Sequence, residues 1–282
     1  EETRLMPVTV YVTVRRGAPG LELRVCFHNS AEDHRLRMIF PTRRSGTTCH
    51  AESAFDVVTR DTVFGPESPW YGARGVTFPM QRFVDVSDGV AGLAIINDGL
   101  REYEVTQDED RAIAITLMRA YQVSLTTVSH RWEERPEMKL AQCPGDHEFR
   151  LMIYPHAGDY AAGGVLAAAE RFAAPMEPAQ AGAHGGDLPP RHGFLHIEPE
   201  SIALSAFKRA EDGDGYIVRL WNPTDKTVKG TLRFAQSPHS AEGVSLEELS
   251  IEPLPICGKA VALQVGPKKI MTVRVRFEQQ QG

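Results

Sequence analysis

Cysteine is scarce in this chain and never clustered. The four residues, Cys26, Cys49, Cys143 and Cys257, form no CxxC pair. That excludes a zinc-ribbon spacing and a dense disulfide framework, and it points to a reducing, cytoplasmic setting. Cys26 lies in an apolar strand-like run and reads as a small buried hydrophobe. Long apolar runs are missing too: nothing approaches the ~20 residues that a membrane helix needs. The opening EETRLMPVTVYV has neither the basic start nor the apolar block of a signal peptide. Positive charge is in deficit, with 31 Lys and Arg against 37 Asp and Glu and a net charge of −6. The deficit sits in residues 1–190, at −7, whereas 191–282 carries +1. An acidic larger half argues against nucleic acid or an anionic membrane as partner and leaves neutral partners such as sugars open. The ten histidines show no HExxH or similar spacing. Cys49-His50, His28 with His34, and His147 with His156 are the nearest metal candidates, and scattered ligands of this kind are weak evidence.

What the chain does have is alternation. Val8, Val10, Val12 and Val14 share one face, with Thr9, Tyr11 and Thr13 on the other. Leu21, Leu23, Val25 and Phe27 then alternate with Glu22, Arg24 and Cys26. Period two over such lengths predicts half-buried antiparallel strands. Further strands are expected over Arg35–Pro41, Tyr103–Val105, Ala112–Met118 and Phe149–Tyr154. Phe83–Val86 and Val90–Ile96 read as a hairpin across Ser87-Asp88-Gly89. One helix is expected over Tyr160–Phe172, weakened in its first turn by Gly163-Gly164 and ended by Pro175 and Pro178.

The stretch APMEPAQAGAHGGDLPPRHG, residues 174–193, loses all apolar period and marks a boundary. The expected organisation is a large β-domain over 1–175, a linker over 176–193 and a small β-domain over 194–282. In the latter, Ile202, Leu204 and Ala206 form one face of a strand. Tyr216–Trp221, Gly230–Phe234, Ala260–Val265 and Met271–Phe277 follow as strands, with turns near every ~10 residues, which is the cadence of a β-sandwich. The chain is all-β in expectation. With 282 residues it suits two domains.

Several segments in order along the chain resemble the C-terminal region of glycoside hydrolase family 38, in its bacterial α-mannosidase and mannosylglycerate hydrolase group. They are DHRLRMIFPT (33–42), GLAIINDGLREYEV (92–105) with AITLMRAY (114–121), AQCPGDHEFRLMIYPHAG (141–158), LSAFKRAEDGDGYIVRLWNPT (204–224) and PKKIMTVRVRF (267–277). The resemblance implies a large galactose-mutarotase-like sandwich, the supersandwich, followed by a smaller immunoglobulin-like sandwich. It also implies that the first sandwich begins late, with some strands outside this sequence. In that family an upstream barrel and a helical bundle precede these domains. The barrel carries an Asp nucleophile, a carboxylic acid and a zinc ion held by His and Asp. Paired carboxylates are the logic of a retaining glycosidase. No motif of that barrel occurs here. The expectation is therefore a non-catalytic portion with no cofactor of its own, inactive alone, whose partners are the catalytic and helical domains and the carbohydrate substrate.

Within that frame Asn97, Asp98, Arg119, Trp70 and Tyr71 are candidates for the rim of the substrate pocket. Each has a plainer reading. Asn97-Asp98-Gly99 reads as a hairpin turn, Arg119 as one half of a structural ion pair, and Trp70-Tyr71 as a loop anchor against a neighbouring domain. Glu102, Glu104, Asp108, Glu109 and Asp110 read as a solvated edge rather than an acid–base pair. Asp212-Gly213-Asp214-Gly215 lacks the full calcium-loop pattern and reads as a turn. Trp221 reads as core. Two other classes remain open: a carbohydrate-binding module that uses Trp70, and a mutarotase-like epimerase that would need a His/Glu pair converging in the first sandwich.

Overall fold

A computed structural model describes residues 5–69, 72, 76–125 and 132–278. The chain divides into two compact units, 1–175 and 176–282.

Unit 1 runs β1 (Val8–Thr13), β2 (Leu21–Asn29), β3 (Arg35–Phe40), β4 (Thr48–Ser53), β5 (Asp56–Asp61), β6 (Phe78–Pro79), β7 (Phe83–Ser87), β8 (Ala91–Asn97), β9 (Glu102–Val105), β10 (Ile113–Arg119), β11 (Val123–Leu125), β12 (Trp132–Glu134), β13 (Gly145–Ala157) and α1 (Val165–Ala173). Its strands form an antiparallel sheet of order β1-β2-β13-β8-β7-β4-β5 and a second of order β3-β10-β9-β6, with β11-β12 as a separate ribbon. The core lies between the two larger sheets: Leu23, Val25, Val84, Ile95 and Leu151 meet Tyr103, Ile113 and Ile115. Alternation produces this directly, since residues two apart share a face.

β7 breaks the alternation because all five of its residues are buried. Val84 and Val86 face the core, and Phe83 and Asp85 point the other way, to the side where α1 packs on β7 and β8. The helix starts later than its composition predicts. Gly164 adopts φ 64° just before Val165, so Tyr160–Gly164 is a turn and not a first helical turn. The predicted hairpin forms between β7 and β8, where the Asp88 carboxylate accepts the Val90 and Ala91 amides and Gly89 takes φ 83°. The Asn97-Asp98-Gly99 turn is not a hairpin: β8 and β9 belong to different sheets, so this turn carries the chain from one layer to the other. Cys26 also departs from expectation. It sits on the outer face with Arg24, half-exposed, its thiol 3.6 Å from the Glu148 carboxylate, because the core takes the other face of β2.

Unit 2 runs β14 (Leu195–Glu198), β15 (Ala203–Arg209), β16 (Tyr216–Trp221), β17 (Val228–Phe234), β18 (Ser240–Val244), β19 (Ser250–Pro253), β20 (Ile256–Cys257), β21 (Ala260–Val265) and β22 (Ile270–Arg276). Two antiparallel sheets, β14-β17-β21-β20 and β15-β16-β22-β18-β19, enclose Val218, Leu220, Leu232, Val261, Val273 and Val275. Trp221 is buried at 5% exposure. The single face predicted for Ile202, Leu204 and Ala206 does not form. A bulge between Leu204 and Ala206 shifts the register against β16: Leu204 stays opposite the core residue Leu220, 42% exposed on its edge strand, while Ala206 falls opposite Arg219 on the other face. The Asp212–Gly215 turn joins β15 to β16, and its two carboxylates pair with Arg274 and Arg276. No helix among the described residues is long and apolar enough to cross a membrane.

Candidate functional site

A buried group of titratable side chains lies under α1, on the helix-facing side of the large sheet. The β4–β7 register sets His50 opposite Asp85, and β13 brings His156 across β8. His156 Nε2 lies 2.7 Å from Asp85 Oδ1, and His50 Nδ1 lies 3.8 Å from Oδ2. Asp85 is fully buried and the His156 side chain is 2% exposed. The His156 ring is held between two glycines: a Cβ built on Gly92 or Gly163 would come within 2.3 Å of it. Those glycines are required by close approach, not by turn geometry. Burial alone pushes the His156 pKa down, but the hydrogen bond and charge of Asp85 outweigh it and hold it above the ordinary value. Burial likewise pushes the Asp85 carboxyl up, and the hydrogen bond and charge of His156, with the His50 ring close by, outweigh that and lower it.

Beside this pair, Arg82 grips the Glu52 carboxylate through Nε at 3.0 and 2.8 Å. The same guanidinium reaches Glu170 of α1 at 3.8 Å, so it ties helix to sheet. Asp85, His156 and Glu52 are buried, so the His/acid pair that forms here is enclosed beneath the helix, and Arg82 with the part-exposed Glu170 fastens α1 in place.

The metal candidates separate for a geometric reason. Cys49 belongs to the core and His50 lies over the opposite face, as neighbours on a strand must. His147 stacks on Phe27 in the core-facing row of β13, while His156 lies on the other face. His28 pairs with Asp146 at 2.7 Å. Among the described residues no three His, Cys, Asp or Glu side chains converge as a metal site would require.

The rim candidates fall in different places. Asn97 is fully buried. Its amide donates to the Gln81 and Arg82 carbonyls, and its Oδ1 accepts the Leu100 amide at 2.7 Å, so every polar atom is committed to the backbone that carries the layer crossing. Asp98 is half-exposed and pairs with Arg150 at 3.3 Å. Arg119, also half-exposed, contacts both oxygens of Glu102, at 3.1 and 2.9 Å. Arg35 meets the same carboxylate at 2.9 Å, leaving two guanidiniums on one acid. Glu104 pairs with Arg37. Glu102 and Glu104 thus balance arginines on the outer face of the small sheet. Trp70 and Tyr71 lie outside the described residues.

Sequence reasoning missed an exposed apolar row on β1. Val8, Val10 and Val12 pair with Phe27, Val25 and Leu23 and so continue the core-facing row onto β1. Yet they are 45%, 41% and 60% exposed, whereas Val25 is 1% exposed. β1 is also the edge of its sheet. The alternation announced the row, but not that nothing among the described residues covers it.

These features define a pair of antiparallel β-domains, one a large two-layered sandwich and the other a smaller one. Residues 4–123 match the family described as Glycosyl hydrolases family 38 C-terminal domain, and residues 201–273 match the Glycosyl hydrolases family 38 C-terminal beta sandwich domain. The chain belongs to glycosyl hydrolase family 38 and consists of its C-terminal β-domains. A relative from Halalkalibacterium halodurans, named "Putative mannosylglycerate hydrolase", is 34% identical over 270 residues, covering 93% of this chain. An alpha-mannosidase from Enterococcus faecalis V583 superposes with a TM-score of 0.78 at 27% identity over 95% of this chain. A glycosyl hydrolase family 38 protein from Enterococcus faecalis gives 0.76 at 28% identity, also over 95% of this chain. This chain spans 28% of the first two relatives' lengths and 29% of the third's.

Proposed function

We propose that this chain is the non-catalytic C-terminal portion of an α-mannosidase-like retaining glycoside hydrolase, where it braces the catalytic domain and supplies part of the pocket rim. The observation that carries the bracing role is the open valine row of β1. A core-facing aliphatic ridge in water is unfavourable by about 25 cal/mol per Å² of apolar area. It is satisfied by a further strand or a neighbouring domain of the same polypeptide, and the relatives have room for one, being more than three times as long. Zinc and the paired carboxylates belong, in this reading, to that remaining part.

For the rim, Asp98 and Arg119 are the described candidates that are half-exposed. Arg119 shares Glu102 with Arg35, so one positive charge is left over to meet an anionic aglycone or a neighbouring acid. Trp70 and Tyr71 stay in the proposal on sequence grounds. The buried Asn97 acts only through the backbone it holds.

The reading is tested by assaying this chain alone on an aryl α-mannoside with added zinc. The expected result is no turnover above the uncatalysed reaction. Hydrolysis that persists after repeated purification would place the chemistry in this chain and overturn the proposal.

A further inference from the structure

The second sandwich carries a groove to which nothing above gives a role. The core-facing row of its larger sheet runs on past Val218 and Val275 into Phe207, Tyr216 and Phe277. Phe207 and Tyr216 are 43% and 41% exposed, with ring centroids 5.9 Å apart. Tyr216 meets Phe277 edge-on at 5.9 Å. Phe194 forms the opposite wall, and the cavity so enclosed measures about 390 Å³. A second cavity of about 320 Å³ adjoins it, sharing Tyr216, Gln236 and Phe277 and lined by Arg209, Asp214 and Arg276. Each falls within the about 300–1,000 Å³ range of small-molecule sites.

The chemistry of the two halves selects the occupant. The first offers aromatic faces, whose negative quadrupole attracts the polarised C–H surface of a ring. The second offers a mixed set of planar polar groups. Arg276 is neutralised by Asp214 at 2.6 Å and Glu242 at 2.7 Å. Gln236 is exposed and brings both a donor and an acceptor, and the exposed Arg209 brings donors. Acids and bases stand side by side, so neither an anion nor a cation is favoured. A hydroxylated, uncharged ring with one C–H face suits both halves.

We propose that this groove is a saccharide-binding site, in which a pyranose stacks on Tyr216 and Phe207 and directs its hydroxyls to Gln236, Arg209 and Asp214. It belongs to the second sandwich, and none of the residues proposed for the pocket rim is part of it. From the proposed function it takes only the choice of sugar to try first.

The test is an amide-detected NMR titration of this chain with methyl α-D-mannopyranoside, repeated with the glucoside and galactoside. The expected result is saturable shifts at Gly215, Tyr216, Gln236 and Phe277 with a dissociation constant on the order of 1 mM. Tyr216→Ala should weaken binding about tenfold or more, as loss of a stacking anchor does, and Gln236→Ala about threefold. Gln236 and Phe207 are exposed, so Gln236→Ala and Phe207→Ser keep the site testable if Tyr216→Ala disturbs the fold. The proposal is overturned by no response to any of the three sugars, by shifts centred elsewhere, or by affinity unchanged in Gln236→Ala and Phe207→Ser. It is also overturned if cyclohexanol reproduces the response, which would make the groove merely apolar. A silent titration leaves the scaffold reading standing. Conversely, mannoside turnover by this chain would sink that reading without touching this site.

Discussion

Each unit lets a core-facing row run out past its opposite layer, but the two rows are made of different residues. In unit 1 the row is Val8, Val10 and Val12 on an edge strand, aliphatic and β-branched, with unpaired backbone groups alongside. In unit 2 it is Phe207, Tyr216 and Phe277, aromatic and bordered by Gln236 and Arg209. Aliphatic side chains on a free strand edge suit another polypeptide, which can pair the backbone and bury the valines together. Aromatic faces beside mixed polar groups suit a hydroxylated ring. The chemistry of an uncovered row indicates what covers it.

That contrast presumes that both units hold their shape without help, and their buried polar groups offer the sharpest way to break it. The largest effect is expected from Asp85→Ala. It strands the His156 imidazole between Gly92 and Gly163, and breaking a buried pair in this way costs about 3–5 kcal/mol. Denaturant unfolding should show unit 1 weakened and unit 2 unchanged. If both fall together, the units are not independent and the comparison fails.

A smaller loss is expected from the two buried loop asparagines, which do equivalent work in the two units. Asn222 donates to the Lys226, Val265 and Gly266 carbonyls and accepts from Thr224, while Asn97 makes a shorter set of bonds. Each orphaned backbone partner costs about 1–3 kcal/mol, so Asn222→Ala should destabilise more than Asn97→Ala in the same unfolding measurement.

The pH dependence sharpens the comparison further. The His156 pKa is raised on folding, so its contribution is fully present below the ordinary histidine value of about 6.5 and fades as pH rises through the folded value. The Asp85 pKa is lowered, so its contribution is present above the ordinary aspartate value of about 3.9 and fades as pH falls. Unit 1 should therefore be most stable between these limits and lose stability on both sides of them. His156→Gln should flatten that alkaline limb in thermal unfolding monitored across pH. The smallest effect belongs to β1: Val12→Thr should change the stability of this chain by less than about 0.5 kcal/mol, because the side chain is already in water.

Much of this was legible in the sequence. Tyr216–Trp221 and Ala260–Val265 form strands with the bounds that their alternation sets, and the hairpin through Asp88-Gly89 follows its turn chemistry. The β4–β5 hairpin was not legible. Its segments, TCHAES and DVVTRD, mix polar residues into buried positions and show no period. The same disguise hid Glu52 and the true neighbour of His50, since their partners Arg82 and Asp85 lie some thirty residues further on, a separation that no local pattern encodes. Asn97 was picked out from its turn, but only the layer crossing explains why it is buried. The coverage of β1 was unreadable for a different reason: alternation reports that a strand has an inner face, not whether an opposite layer reaches it.

The central claim is that β1 is completed by polypeptide beyond these β-domains. Hydrogen exchange tests it directly, by comparing this chain alone with a protein of its relatives' length that contains it. The account predicts that the β1 amides directed away from β2 exchange freely in the isolated chain and gain an order of magnitude or more of protection in the longer protein, while the β16 and β22 amides are equally protected in both. Equal exchange of β1 in the two would contradict it.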